Sequence, residues 1–258
     1  MDVVGRGFVA QNLLPIADRH PRVTVLAAGV STTVEDDAAE FQRETELVRR
    51  QADRCRREGR MLIFLSTASH SMYGSPPVAA DEDYPVTPPE PYGRHKLALE
   101  RELRAHGVDW LTLRLSHAVG PGQRGHQLLT SLMDQIRAGS VQLFQGNHRD
   151  LVDVRDVVAA LDGLLAADVR NEVVNVASGT AYPIEDIIDG VEARLGCRAA
   201  REIIVDVDPN HTVVSVAKLR ALAPAACPSG GPRYLDHLLD RYVGPSPVSW
   251  SERRQYVS

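Results

Sequence analysis

The stretch DVVGRGFVA, residues 2–10, decides the fold of this chain. Residues 1–4 predict a short buried strand, Gly5 to Gly7 a tight turn, and Phe8 onward a helix. A GxGxxA pattern between a strand and a helix is typical of a dinucleotide-binding loop, because bare glycine backbone and a helix N-terminus both favour a pyrophosphate. Ala10 is small enough for close packing of the helix on the strand. A simple tight turn at a strand end is the alternative for this stretch.

Strand and helix patterns alternate along the rest of the chain. This alternation predicts an α/β fold, a doubly wound parallel sheet with helices on both faces. Residues 75–91 contain six prolines and predict a loop. Gly59 is predicted to end a long helix. The predicted strands cover residues 1–4, 23–28, 61–65, 108–115, 141–144, 173–177 and 201–205. The predicted helices cover residues 8–18, 33–58, 92–106, 127–138, 154–167 and 184–195.

The composition excludes several classes of protein. The chain has 258 residues, 43% of them hydrophobic and 24% charged, as expected for a globular protein with a full core. The net charge of −5 argues against a nucleic-acid binder. No apolar run approaches the roughly 18 residues of a membrane span. The three cysteines, Cys55, Cys197 and Cys227, are far apart, and the histidines lack ligand spacing. We therefore expect no disulfide framework, no metal, no secretion leader and a cytoplasmic location.

Two side chains predict acid–base chemistry. Tyr92 and Lys96 are four residues apart on a predicted helix and share one face. A lysine ammonium beside a phenol lowers the pKa of the phenol, so the tyrosine is expected to exchange a proton near neutral pH. The chain has only one other lysine, Lys218, so chance placement of Lys96 is a less attractive explanation.

Hydroxyl side chains follow the predicted strand at residues 61–65. Ser66, Thr67 and Ser69 lie at its carboxyl end, where open α/β sheets place their ligands. Local capping of the strand end is the other interpretation of these residues.

Six further segments carry recognisable motifs in a fixed order. They are VLAAGVS (25–31), FLSTASHSMYG (64–74), PYGRHKLALE (91–100), RLSHAVGPG (114–122), GNHRDLVDVRDV (146–157) and VVNVASG (173–179). In order and spacing, over most of the chain, they resemble the extended short-chain dehydrogenase/reductases, specifically the NAD-dependent epimerase/dehydratase family that acts on sugar nucleotides.

The resemblance implies a Rossmann-like domain and a small substrate lobe. The Rossmann-like domain is expected at residues 1–125 plus about 146–178. The lobe is expected at about 126–145 and 179–242, followed by a tail at 243–258. The resemblance also implies a homodimer formed through the helices at 33–58 and 92–106.

The same resemblance assigns roles to single residues. Tyr92 is the expected proton donor or base, and Lys96 binds the nicotinamide ribose. The substrate oxygen is bound by Thr67 or Ser69: counting back from Tyr73-Gly74 selects Ser69, whereas counting from the strand and the family's usual separation from the tyrosine select Thr67. Of the two, Thr67 is favoured. The expected cofactor contacts are Gly5, Arg6, Gly7, Phe8, Val9 and Ala28 together with Tyr92 and Lys96. The expected substrate contacts are His70, His117 and Arg149, the last because a planar guanidinium suits a diphosphate.

The chain also departs from the family. Only residues 19–22 separate the first helix from the next strand, where the family has two further strands and a helix that carry the adenosine ribose ligand. The cofactor-binding half is therefore predicted to be shortened. Glu44 and His117 each replace an asparagine of the family pattern.

These departures favour an NAD(P)H-dependent ketoreductase of a nucleotide-activated sugar. An epimerase must retain its NAD through the cycle, and retention needs adenosine contacts. Arg6 in the glycine loop favours NADPH, since it can meet a 2′-phosphate. An NAD-dependent sugar-nucleotide epimerase and a non-catalytic binding protein of the same fold are the two alternatives.

Overall fold

The computed structural model describes residues 1–30, 38–205 and 209–244. The start of the predicted helix at 33–58 and most of the predicted tail at 243–258 lie outside these residues. The strands are β1 (Asp2–Val4), β2 (Val23–Leu26), β3 (Met61–Thr67), β4 (Trp110–Leu115), β5 (His117–Val119), β6 (Ser140–Gln145), β7 (His148–Arg149), β8 (Leu151–Asp153), β9 (Glu172–Val176), β10 (Tyr182–Pro183) and β11 (Ala200–Val205). The helices are α1 (Phe8–Leu13), α2 (Ala38–Glu58), α3 (His70–Tyr73), α4 (Pro91–Ala105), α5 (Leu128–Ala138), α6 (Val154–Ala166), α7 (Ile184–Leu195), α8 (Ala217–Leu222) and α9 (Pro232–Tyr242).

A five-stranded parallel sheet forms the centre of the fold. Its strand order is β1-β2-β3-β4-β9. The predicted parallel sheet is confirmed. Within the described part of the chain, β1 pairs with β2 alone and forms an edge of the sheet. Only residues 20–22 lie between the 3-10 turn Leu14–Arg19 and β2. The predicted shortening of the cofactor-binding half is thereby confirmed.

The two faces of this sheet are covered by different helices. Strand β3 shows why, because Leu62 and Phe64 pack towards α2 and α4, whereas Ile63 packs towards α1 and α6. Side chains of a strand alternate between faces, so a fully apolar strand supplies both cores. The doubly wound α/β fold class is confirmed. Helices α2 and α4 are the pair that the resemblance associates with a dimer, which stays a prediction.

A second hydrophobic core joins α5, α7 and α9 to the small β6–β11 pair. Helix α9 buries Leu235, Leu238 and Leu239 in this core at helical spacing. The sequence analysis predicted neither α8 nor α9. The predicted boundaries of the substrate lobe stay a prediction.

The first helix is shorter than predicted. The sequence indicated a helix over residues 8–18, but α1 ends at Leu13 and a 3-10 turn follows. Pro15 is at the start of this turn and cannot continue an α-helical hydrogen-bond ladder. Gly59 has φ of 61° and ends α2, as predicted.

Candidate active site

A close approach between α3 and α4 forms one wall of the candidate site. A Cβ on Gly93 would lie 1.6 Å from the carbonyl oxygen of Ser71, so glycine alone allows this approach. The Ser71 hydroxyl donates to the Glu90 carboxylate at 2.6 Å and fixes the same contact. The start of α4, with Tyr92, is thereby held against the short helix that follows β3.

The two candidate hydroxyls of the Ser/Thr strand contact each other. Thr67 Oγ1 and Ser69 Oγ are 2.8 Å apart, and the Ser69 amide donates to Thr67 Oγ1 at 3.1 Å. Ser69 lines a small cleft together with His70, His117 and Arg149. Thr67 is buried and does not line this cleft. Of the two hydroxyls, that of Ser69 therefore lies at the cleft, and which of them binds a substrate stays a prediction.

Tyr92 and Lys96 lie on one face of α4, as their spacing predicts. The Lys96 ammonium is 5.5 Å from the centre of the Tyr92 ring and 5.2 Å from that of Phe64. It also donates to Glu44 Oε1 at 2.5 Å, and both side chains are 3% exposed. A buried ammonium with a carboxylate partner and aromatic neighbours remains charged.

The ionisation of this group follows from burial and from the ion pair. Burial opposes the charge on Lys96, but Tyr92 and Glu44 outweigh it and the pKa of Lys96 is raised. Burial likewise opposes ionisation of Glu44, yet Lys96 and His95 lower the pKa of its carboxyl group. The sequence predicts a lowered pKa for the Tyr92 phenol, and this prediction is wrong. Burial raises the pKa of Tyr92, Lys96 lowers it by less, and Glu44 raises it further. At neutral pH the site therefore holds a carboxylate, an ammonium and a protonated phenol.

The predicted substrate contacts come together at the carboxyl end of the sheet. His70, His117 and Arg149 line the cleft beside Ser69, although 79 positions separate His70 from Arg149 (149 − 70). The Arg149 guanidinium donates to the His148 carbonyl at 2.8 Å. Burial and the charge of Arg149 lower the pKa of His117 to about 4, so this imidazole is neutral at pH 7.

A pH-dependent stability is expected from His117. Its pKa of about 4 in the folded protein lies below the unfolded value of about 6.5, so the unfolded chain takes up the proton first as the pH falls. Stability supplied by the neutral imidazole is therefore lost between about pH 6.5 and pH 4. Both proteins should lose free energy of unfolding when the pH is lowered from 7 to 4.5. We expect this loss to be about 2 kcal/mol smaller in His117→Asn than in wild type.

Urea denaturation of both proteins at the two pH values measures this difference. Asp150, whose buried carboxyl has a pKa raised to about 6, titrates in the same range but is present in both proteins. The comparison therefore isolates His117. Parallel losses in the two proteins would contradict the prediction.

The glycine loop fits the pyrophosphate side of a dinucleotide. Gly5 has φ of 141°, and a Cβ there would lie 2.4 Å from the Ala27 carbonyl oxygen, so the position requires glycine. Gly7 is the N-cap residue of α1, and a Cβ at Gly7 would meet no atom within 4 Å. This bare backbone is open to a ligand, and Arg6 beside it is exposed. Phe8 and Val9 follow in the first turn of α1, and Ala28 follows β2 across from the loop.

The described residues offer no comparable site for the adenosine ribose of a dinucleotide. Beyond β1, the described residues supply no strand, and hence no carboxylate at a strand end for the adenosine ribose. The residues present thus fit the nicotinamide and pyrophosphate part of the cofactor but not its adenosine part.

A buried polar network below the site was missed by sequence reasoning. The Arg114 guanidinium donates to both oxygens of Glu100, at 3.0 Å and 2.7 Å, and to the Tyr73 hydroxyl at 2.9 Å. Ser66 donates to Glu100 at 2.5 Å, and Tyr73 donates to Asn175 at 2.8 Å. Four of the six quoted family segments contribute residues to this network, which was the available signal. The network joins β3, β4, β9, α3 and α4.

A second, wider groove lies on the other side of the sheet. It opens at the amino ends of β4 and β9, beside Arg104, Trp110 and Lys218. Open parallel sheets bind ligands at the carboxyl ends of their strands, so this groove is on the opposite side from the candidate site.

The family of this chain is identified by a match to a protein-family model. The model of the NAD-dependent epimerase/dehydratase family matches residues 11–177. The chain belongs to this family.

Two curated proteins and one solved structure illustrate the similarity. A putative UDP-glucose 4-epimerase of Methanocaldococcus jannaschii is 29% identical over 147 residues, which is 53% of this chain and 48% of the relative. A dTDP-6-deoxy-L-talose 4-dehydrogenase (NAD(P)(+)) of Kitasatospora kifunensis is 34% identical over 145 residues, 50% of this chain and 44% of the relative.

The third is a solved structure, RMD from Pseudomonas aeruginosa complexed with NADPH. It has a TM-score of 0.81 and 20% identity, covering 94% of this chain and 96% of that one. This likeness shows the shared fold. The aligned segments span about half the length of the two curated relatives.

The described residues show neither a membrane-spanning helix nor a metal-binding cluster. None of their helices is long and apolar enough to cross a membrane. The same residues contain no group of three or more side chains arranged to hold a metal ion.

Proposed function

We propose that this protein is an NAD(P)H-dependent ketoreductase of a nucleotide-activated, and more specifically a deoxy, sugar. The observation that carries the proposal is the position of Tyr92 beside the ion-paired Lys96, on the helix that packs against the Ser69 segment. Reduction of a ketone needs a proton donor for the developing alkoxide, and a phenol that carries its proton at neutral pH is such a donor. The relatives named above include a nucleotide-sugar dehydrogenase, which catalyses chemistry of the same class.

In this mechanism the glycine loop, Tyr92 and Lys96 hold the nicotinamide part of the cofactor. When bound, the reduced nicotinamide supplies a hydride to the keto carbon. Ser69, supported by Thr67, donates a hydrogen bond to the carbonyl oxygen. Tyr92 then gives its proton to that oxygen, and solvent returns a proton to Tyr92. Arg149, at the far side of the cleft, binds the diphosphate of the substrate.

The bare edge at β1 favours a cofactor that exchanges at every turnover. Fewer contacts to adenosine mean faster release, which suits a reductase and disfavours an epimerase that retains its NAD. Arg6 is exposed in the loop and supplies a cation for the 2′-phosphate of NADPH.

Calorimetry with NADPH, NADH and NAD, followed by absorbance at 340 nm with a panel of nucleotide-linked keto sugars, tests this function. We expect micromolar NADPH binding to cofactor-free protein and reduction of at least one keto sugar. Arg6→Ala should weaken NADPH binding about tenfold and leave NADH binding unchanged. Arg50→Ala, which removes an exposed arginine of α2, is the matched control.

Two results would contradict the proposal. NAD retained through purification would favour the epimerase, and failure to bind any of the three dinucleotides would favour a non-catalytic binding protein. We also propose that the active form is a homodimer joined through α2 and α4.

A further inference from the structure

The carboxylate of Glu44 fills the space beside the Lys96 ammonium. It accepts three hydrogen bonds, from Lys96 Nζ at 2.5 Å, from His95 Nε2 at 3.0 Å and from the Val30 amide at 3.2 Å. The His95 ring is in turn stacked on Phe41, with ring centres 4.3 Å apart. Glu44 is thus fixed by donors from α4 and from the segment after β2.

The absence of a side chain at Gly29 leaves space for this ion pair. A Cβ on Gly29 would lie 2.2 Å from Glu44 Oε1 and 3.2 Å from Lys96 Nζ. Glu44 itself is 4% exposed, on the inner face of α2. A buried carboxylate is costly unless it is paired and fully hydrogen-bonded, as Glu44 is. An amide, which the family has at this position, would leave the charge of Lys96 unbalanced.

The ion pair changes what Lys96 can do to Tyr92. The charged groups that act on the Tyr92 phenol are Lys96 on its own helix and Glu44 on α2, and they act in opposite directions. Glu100, deeper in the fold, adds to the negative potential at Lys96. With its charge balanced, Lys96 stabilises a phenolate less than an unpaired ammonium would.

We propose that Glu44 is a positioning residue that holds Lys96, balances its charge and keeps Tyr92 protonated, so that the site donates a proton to a ketone rather than taking one from an alcohol. This inference rests on the proposed function for its direction. In the balanced step, the keto carbon gains a hydride from the reduced nicotinamide cofactor, which is oxidised. The C=O π pair moves to oxygen, and that oxygen takes the proton as the Tyr92 O–H bond breaks.

Ultraviolet titration of tyrosinate in cofactor-free protein tests the role of Glu44. Each protein is compared with the same protein carrying Tyr92→Phe, so that the difference spectrum reports Tyr92 alone. In wild type we expect the Tyr92 signal only above about pH 10, the ordinary value for tyrosine. In Glu44→Gln we expect it at least one pH unit lower. Glu46→Gln makes the same charge change at an exposed position of α2 and should match wild type.

Three further measurements make the test decisive. Glu44→Asp keeps the charge and should restore the wild-type titration, whereas Glu44→Asn should behave like Glu44→Gln. The wild-type titration needs no variant at Glu44 to fold, and ionisation of Tyr92 below pH 9 would overturn the inference. Equal titrations in wild type and a folded Glu44→Gln would overturn it as well.

The pH dependence of reduction separates this inference from the proposed function. We expect kcat of wild type to stay level to higher pH than kcat of Glu44→Gln, because the proton donor is lost later. A shifted titration in a protein that reduces no keto sugar would uphold the role of Glu44 and refute the ketoreductase. If the protein reduces a keto sugar but the Tyr92 titration is unshifted in Glu44→Gln, the ketoreductase function would be supported and the role of Glu44 refuted.

Discussion

Replacement of Tyr92 by phenylalanine is expected to lower kcat for keto-sugar reduction about a thousandfold while leaving dinucleotide binding within about twofold. Tyr92→Phe removes the hydroxyl and keeps the ring beside Lys96, 5.5 Å from its ammonium. The loss therefore reflects the missing proton donor. Ser69 remains available to hydrogen-bond the carbonyl oxygen, which is why some turnover is expected to survive.

Steady-state kinetics and calorimetry on the same preparation measure the two quantities. Tyr84→Phe is the matched control, because Tyr84 is a half-buried tyrosine of the preceding loop that packs edge-on against Tyr73. It should keep full activity. If Tyr92→Phe retained the kcat of wild type, Tyr92 would not be the proton donor and the mechanism would be wrong.

Replacement of Arg114 by methionine is expected to lower the free energy of unfolding by about 3–5 kcal/mol. Arg114 and Glu100 are 3% and 2% exposed and are bonded to each other. Among the described residues, Arg114→Met leaves the buried Glu100 carboxylate with the Ser66 hydroxyl as its one side-chain hydrogen-bond donor and no directly paired cation. An uncompensated buried charge is the dominant cost.

The double variant Arg114→Met/Glu100→Leu separates this cost from the loss of packing. We expect it to recover much of the stability, because replacing a whole buried ion pair by apolar side chains is often nearly neutral. Arg170→Met breaks ion pairs on the surface, with Asp168 and Asp109, and should change stability far less. Urea denaturation measures all three. Equal losses for Arg114→Met and Arg170→Met would contradict the prediction.

The network around Arg114 also connects stability with the site. Tyr73, which is bonded to Arg114, ends the helix that begins after Ser69. Loosening this network should therefore reduce activity before the protein unfolds globally. By contrast, the loop at Gly5–Gly7 depends on backbone conformation and on the Ala27 carbonyl, and it should be insensitive to Arg114.

The sequence by itself determined the local and periodic features of this protein. The glycine loop was predictable because Gly5 adopts a backbone conformation that other residues rarely reach. The shared face of Tyr92 and Lys96 follows from the 3.6-residue period of a helix, and the parallel sheet follows from alternating apolar strands and amphipathic helices. The shortened cofactor half was visible as a gap of a few residues, since two strands and a helix cannot fit there.

Only the tertiary structure decided which distant side chains meet. Glu44 and Lys96 are 52 residues apart, and no periodicity links a residue of α2 to one of α4. The place of Ser69 in the cleft likewise depends on the turn into α3, which no sequence pattern specifies. Burial then sets the chemistry, because the same carboxylate and ammonium at the surface would be screened by water and would scarcely affect Tyr92.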